Sequence, residues 1–231
     1  MTKTLPPDLQ KIRLPRAPVT ASKVPWLTSI HAVVNRGPWG RSDYHGNCGG
    51  YLIKDLVQYF GARRVLDPMT GSGTCRDVCR DLGVECESFD LKAGQNAGDP
   101  ASYAGLEPVD FVWLRPPYWR MIRYSDDPRC LSNAPSLEAF LDALAAVLVH
   151  AGSVLRPRGH MAVLIGGYRD LVEKRYMPLP ALTTARAIDE GFWPASTEIV
   201  RFQHGNTSSR RGYDRSFIPG LHDVCILLRR A

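Results

Sequence analysis

Apolar and polar positions along the chain alternate between two rhythms. "YLIKDLVQYFG" (51–61) spaces its apolar residues by three and four, which predicts a helix that stops at Gly61. "RRVLDP" (63–68) is a short apolar run and predicts a strand. "GTCRDVCRDLG" (73–83) returns to helical spacing: Cys75, Val78, Cys79 and Leu82 form one i, i+3, i+4, i+7 stripe, and Gly83 closes the helix. "ECESFDL" (85–91) and "VDFVWL" (109–114) predict the next two strands. "PSLEAFLDALAAVLVHAGSVL" (135–155) predicts a long helix opened by Ser136 as N-cap, with Phe140, Leu144, Val147, Leu148 and Ala151 on one face. A strand at "HMAVLIGGY" (160–168), a helix at "PALTTARAIDEGF" (180–192) and strands at "TEIVRFQH" (197–204) and "HDVCILLRR" (222–230) complete the series.

Strands that are almost continuously apolar, alternating with helices, predict an α/β fold with a mostly parallel sheet covered on both faces. Only "GNTSSRRGYDRSFIPGL" separates the last two strands. A parallel crossover there would need a helix or similar length, so the last strand is expected to be antiparallel.

At 231 residues the chain can form one large domain with a sizeable core. Residues 1–26 are rich in Pro and Lys/Arg and lack periodicity. They read as an extended basic arm, either free or laid across DNA or a partner subunit. Residues 27–231 read as a single domain. No apolar run is long enough to span a membrane, and the first residues lack a secretory apolar core. The six cysteines include no C-x-x-C pair and show no zinc-site spacing. Reduced interior thiols, a cytoplasmic location and no metal are therefore expected. The net charge of +6 permits a polyanionic partner without requiring one.

The chemistry concentrates at two strand ends. The first strand runs into "LDPMTGSGTCRD" (66–77), where glycines let a ligand approach the backbone at a helix N-terminus. Asp90 follows Asp67 by 23 positions, at the end of the next strand, where a carboxylate can bind ribose hydroxyls. Asp99 follows on the next loop, within reach of an adenine amine. Position 76 is Arg where the dinucleotide fingerprint needs a third glycine, which disfavours NAD. The other strand end is "DFVWLRPPYW" (110–119), two rigid prolines followed by two large aromatics.

"LDPMTGSGT" resembles the cofactor motif of the amino-methylating DNA methyltransferases, and "RPPYW" resembles their Asp/Asn/Ser-Pro-Pro-aromatic catalytic motif. "SDYHGNCGGYLIKDLVQYF" is similar to the segment that closes over the methionine end of S-adenosylmethionine in that family. The resemblance covers roughly residues 40 to 230. It implies a Rossmann-like class I methyltransferase fold with a seven-stranded sheet. Asp67 and the backbone from Met69 through Gly71 and Gly73 to Thr74 would then hold the methionine part of the cofactor. Asp90 would hold the ribose and Asp99 the adenine, with Tyr44, His45 and Asn47 beside the amino-acid end.

An exocyclic amine is a poor nucleophile because its lone pair is delocalised into the ring. Acceptors that draw its hydrogens aside favour a tetrahedral nitrogen in line with the methyl sulfonium. In the family these are the residue before the prolines and a carbonyl that Pro116 and Pro117 turn outward. The aromatics, Tyr118 and Trp119, would stack on a base removed from its duplex. Arg115 departs from that pattern: guanidinium offers five donors and no acceptor. Either the enzyme is impaired, or an acceptor comes from elsewhere, with Asp126 or Asp127 as candidates, or Arg115 serves binding without chemistry.

Arg120, Arg123 and Tyr124 follow the corner, and Arg210, Arg211 and Arg215 lie in a later basic loop. Both segments are placed to meet phosphates. No insertion large enough for a target-recognition domain is present, so sequence preference would be weak or would need a homodimer or a partner. Three functions remain open: methylation of DNA at adenine N6 ahead of cytosine N4, a cofactor-binding nucleic-acid-binding protein without catalysis, and methylation of RNA. Arg115→Asp should increase methyl transfer from tritiated S-adenosylmethionine to DNA. Robust transfer by the wild type that the substitution abolishes would contradict this account of position 115.

Overall fold

The computed structural model describes residues 18–33, 35–202, 218 and 220–231. In chain order the elements are β1 (Ile30–His31), α1 (Tyr51–Phe60), β2 (Arg64–Asp67), α2 (Thr74–Leu82), β3 (Glu85–Ser88), β4 (Val109–Leu114), α3 (Leu137–Ser153), β5 (Leu155–Ile165), β6 (Tyr168–Arg169), β7 (Tyr176–Met177), α4 (Leu179–Asp189), β8 (Phe192–Pro194), β9 (Ile199–Phe202) and β10 (His222–Arg230).

Each central strand divides its apolar side chains between two cores, because successive residues of a strand point to opposite faces. On β4, Val112 and Leu114 join one core with Phe140, Leu144 and Leu148 of α3 and Leu179 and Ala187 of α4. Phe111 and Trp113 join the other, with Leu52, Ile53 and Leu56 of α1 and Cys75, Val78 and Cys79 of α2. Met161, Val163 and Ile165 of β5 face the α3/α4 side, and Ala162 and Leu164 face α1 and α2. The uninterrupted apolar strands of the sequence are thus strands buried on both faces.

The sheet runs β1-β9-β10-β5-β4-β2-β3, and β8 also pairs with β10. Neighbours β1/β9, β2/β3, β2/β4 and β4/β5 are parallel, while β10 is antiparallel to β5, β8 and β9. The mostly parallel α/β sheet with an antiparallel last strand matches the expected fold class. Seven strands lie on the main path, and β8 makes eight.

Helix ends follow the sequence signals. Ser136 accepts from the Ala139 N–H at 3.1 Å and caps α3. Gly61 and Gly83 end α1 and α2 with φ of +61° and +67°, a conformation that costs glycine little. Differences arise where elements are short. Strands β1, β6, β7 and β8 span two or three residues, too few to carry a period. Phe192, expected in the last helix, instead begins β8, because α4 ends at Asp189 and Gly191 turns the chain at φ +81°. Strand β5 begins at Leu155 rather than His160, its polar start joined to β4 across a shift in register. Within the expected arm, Val24 is buried and the Trp26 indole donates to Asp55 of α1 at 3.2 Å, so its last residues are docked. No helix among the described residues is long and apolar enough to cross a membrane.

Gly152 lies in the last turn of α3, where a Cβ would stand 2.5 Å from Cζ of the fully buried Phe192. Alanine normally favours a helix interior over glycine by about 1 kcal/mol. Gly152→Ala should instead destabilise the protein by about 1–3 kcal/mol, because the overpacked ring has nowhere to move. Urea unfolding measures the sign, and a stabilised variant would contradict the packing described.

Candidate functional site

Strands β2 and β4 are adjacent and parallel, with Val65 opposite Phe111 and Leu66 opposite Val112. Their carboxyl ends therefore open on the same rim of the sheet, the usual ligand edge of such folds. The turn after β2 takes Gly71 to φ +49° and Gly73 to φ +80° before α2 begins at Thr74. It is tied to the end of β3: the Thr70 N–H donates to the Phe89 carbonyl at 3.1 Å, and the Gly71 N–H to Asp90 Oδ2 at 2.9 Å. Asp90 Oδ1 accepts from the Lys92 N–H at 3.0 Å.

The segment before α1 folds back onto this turn. Asn47 Oδ1 accepts from the Ser72 and Thr74 hydroxyls, both at 2.7 Å. The Gly40 N–H donates to Asp77 at 2.9 Å and the Trp39 indole to Asp81 at 2.6 Å, which holds the segment to α2. Tyr44 packs beside Gly71, with the Lys92 ammonium 5.2 Å from its ring centre.

Together these elements enclose a cavity of about 420 Å³, within the range of small-molecule sites. Tyr44, Asn47, Asp67, Met69, Gly71, Thr74 and Asp90 line it, and so do Arg115, Pro117 and Tyr124. The glycine turn and the proline corner thus share one cavity. Asp67 is 2% exposed at its floor. Burial pushes its carboxyl up to about 8, the nearby Cys86 thiol adds in the same direction, and the Met69 N–H offsets part of the shift. Burial also raises the Tyr124 phenol.

Arg115 closes one end of the cavity. Its guanidinium donates to the Gly46 carbonyl, and its Cζ lies 5.8 Å from the centre of the Tyr118 ring. Burial disfavours the charge, but Tyr118, Cys48, Asp223 and Tyr124 outweigh it and hold the pKa above the ordinary arginine value. Arg115 is a cation under all ordinary conditions. Its Nε is buried without a hydrogen-bond partner among the described residues.

Several expected site residues lie elsewhere. Trp119 is 1% exposed, its indole donates to the Ala134 carbonyl at 2.9 Å, and its ring belongs to the α3/α4 core. Tyr118 is also buried, off the cavity lining, with its phenol pushed up by burial and by Asp223. Neither ring is presented to the cavity as a stacking platform. Both rings pack in the α3/α4 core instead.

Asp99 is exposed and caps a turn through the Ala101 N–H at 2.9 Å, while its neighbours Asn96, Ala97 and Gly98 face the cavity. His45 and Asp126 are exposed and Asp127 is half-buried; all three lie off the lining, so neither aspartate supplies an acceptor inside the cavity. Asp127 instead pairs with Arg129 at 2.7 Å. Arg120 is engaged as well: it grips Asp170 through two hydrogen bonds of 2.7 and 2.8 Å, reaches Glu173 at 2.8 Å and covers Trp119. Arg123 is exposed, paired only with the exposed Asp126 among the described residues. Arg210, Arg211 and Arg215 lie outside the described residues.

Sequence reasoning passed over Lys92, Asn96 and Arg129, which line the cavity from loops without periodicity. It also treated Cys75 and Cys79 as packing residues alone. The structure places their sulfurs and that of Cys86 within 4.8 Å of one another.

No protein-family profile matches the chain, and no curated protein matches it. Among solved structures, the chain is similar to one from Thermus thermophilus named a "Putative DNA Modification Methylase" in complex with S-adenosyl-L-methionine. It shares 22% identity with a TM-score of 0.41, over 58% of this chain and 53% of that one. The chain therefore spans about half the length of that protein. TrmN from Thermus thermophilus is 19% identical with a TM-score of 0.46, over 81% of this chain and 50% of that one. A 1,6-didemethyltoxoflavin-N1-methyltransferase from Burkholderia thailandensis, bound to S-adenosylhomocysteine, is 15% identical with a TM-score of 0.47, over 78% and 77%. At such low identities and TM-scores, the chemistry of the cavity is read from its own residues.

Hydrogen bonds from Arg120 hold the Asp170 carboxyl down at about 2. A carboxyl depressed below its unfolded value of about 3.9 contributes stability above that value and loses it as pH falls through the folded pKa. The melting-temperature difference between wild type and Arg120→Ala should therefore be full above about pH 4 and shrink towards pH 2. Melts across that window measure it, and a difference independent of pH would show that Arg120 is not committed to Asp170.

Proposed function

We propose that the chain is an S-adenosylmethionine-dependent methyltransferase that acts on an exocyclic amine of a DNA base, adenine N6 ahead of cytosine N4. The observation that carries this reading is the single cavity lined by Asp67, Gly71 and Asp90 on one side and by Arg115, Pro117 and Tyr124 on the other.

The residues present suit a nucleoside cofactor. Gly71 and Gly73 at positive φ leave the turn backbone open to close approach. Each Asp90 oxygen receives one backbone N–H, which leaves lone pairs for ribose hydroxyls. Leu91 and Ala97 offer apolar walls for an adenine ring, with the Asn96 amide beside them in place of Asp99. Asp67, beneath the turn, would receive the amino-acid end. When bound, the cofactor supplies an electrophilic methyl group on a sulfonium.

The base would enter unstacked from the Arg115 and Tyr124 side, since an exocyclic amine is out of reach inside a duplex. With Tyr118 and Trp119 turned into the core, Tyr124 is the aromatic wall for the ring. The carbonyls that Pro116 and Pro117 hold out of the sheet are the acceptors for the amine hydrogens, since the Arg115 side chain has none to give. Arg123 is the cation positioned for phosphate.

Arg115 itself favours a second reading, a nucleic-acid-binding protein that keeps the cofactor and does not transfer the methyl group. Its fixed positive charge would oppose the charge that develops on the attacking nitrogen. Incubation with tritiated S-adenosylmethionine and either DNA or RNA separates these readings. Label in DNA supports the first, and label in RNA alone shifts the substrate. Cofactor binding without label selects the second, and digestion to nucleosides identifies the base. In calorimetric titrations Asp90→Ala should lose at least about tenfold in cofactor affinity, the worth of a hydrogen bond to a charged group. Unchanged affinity in a folded variant would place the ribose elsewhere.

A further inference from the structure

We propose that Cys75, Cys79 and Cys86 form a three-thiolate site for a soft, thiophilic metal ion, and that monovalent copper is the ion it suits. The three sulfurs lie within 4.8 Å of one another. An ion bonded to each sulfur at about 2.3 Å, the distance of zinc–thiolate bonds, sits in a triangle of sulfurs about 4 Å on a side. Closing the cluster around an ion therefore takes side-chain shifts below about 1 Å, which χ1 adjustments supply.

The fold sets this arrangement. Cys75 and Cys79 are four residues apart in α2, so they rise from the same helix face. Cys86 stands on β3, the strand that comes directly after α2 and forms one edge of the sheet. Cys75 and Cys79 are 1% and 0% exposed, whereas Cys86 is half-buried and provides the way in. Val65, Val78 and Phe111 belong to the same apolar core as Cys75 and Cys79, and the buried Asp67 lies near Cys86.

Coordination number decides the class of ion. No histidine or carboxylate joins the three sulfurs among the described residues. Thiolates hold both zinc and Cu(I), but structural zinc takes four protein ligands, whereas the cluster offers three, a set that suits a soft monovalent ion such as Cu(I). Each thiol releases its proton to solvent as its sulfur bonds the ion, and the copper enters and stays monovalent, so no oxidant is needed. Cys75 also lines the neighbouring cavity, so the two sites share a wall. An ion here would stand directly behind the glycine turn.

The test titrates the full chain anaerobically with Cu(I) against bicinchoninate as competitor, with zinc in a parallel arm, and reads the copper environment by X-ray absorption. One equivalent of Cu(I) bound by three sulfurs is expected, with zinc held more weakly. Cys86→Ser should lower copper affinity by at least ~100-fold, beyond the 10–100-fold cost of disturbing residues around a metal site. Cys86 is the least buried of the three, so this variant keeps the fold and decides the question even if Cys79→Ser does not fold. Cys130→Ser, a thiol on the cavity wall outside the cluster, should bind copper like wild type. Copper with two or fewer sulfur neighbours, wild-type affinity in Cys86→Ser, loss of binding in Cys130→Ser, or zinc held as tightly in a four-ligand site would each overturn the proposal.

Discussion

The parallel pairing of β2 with β4 is the constraint on which the rest of the structure depends. Because the strands are neighbours in the same direction, the chain beyond Asp67 and the chain beyond Leu114 must leave the sheet on the same rim, side by side. Double burial then fixes the register: a slip of one residue would exchange Val112 and Leu114 with Phe111 and Trp113 and empty both cores. The position of the cavity thus results from packing that is not itself part of the site.

Around that rim, polar contacts make the cavity more definite than a gap between loops. Asn47 gathers the hydroxyls of Ser72 and Thr74, Asp90 receives the Gly71 N–H, and Arg115 reaches across to Gly46. The last contact gives position 115 a structural task. It ties the end of β4 to the segment that covers the glycine turn, where a shorter acceptor side chain would leave the two apart. Under the proposed function, closure of the cavity and chemistry at an amine nitrogen would ask opposite things of this residue. Its Nε is buried without a hydrogen-bond partner among the described residues.

The long elements were legible in the sequence because their patterns were long enough to repeat. The stripe from Cys75 to Leu82, the Ser136 cap and the nine residues of β10 all stand where the pattern put them. The glycine turn and Asp90 were legible for a different reason: backbone approach and a carboxylate at a strand end leave a local signature. The fate of the aromatics was not. Proline rigidity says that the chain turns after Leu114 but not which way, and only the α3/α4 core shows that Trp119 is drawn inward. The Arg120 ion pair was hidden for a related reason, since its partner Asp170 is fifty positions away, beyond any local pattern. The cysteine cluster was hidden in the same way, split between a helix and the next strand.

A crystal structure of the full chain with S-adenosylhomocysteine tests the shared cavity most directly. The account predicts the ribose against Asp90, the amino-acid end over Asp67, and the sulfur facing Arg115 and Pro117 across open space. A ligand seated outside these residues, or one whose sulfur points away from the proline corner, would contradict it.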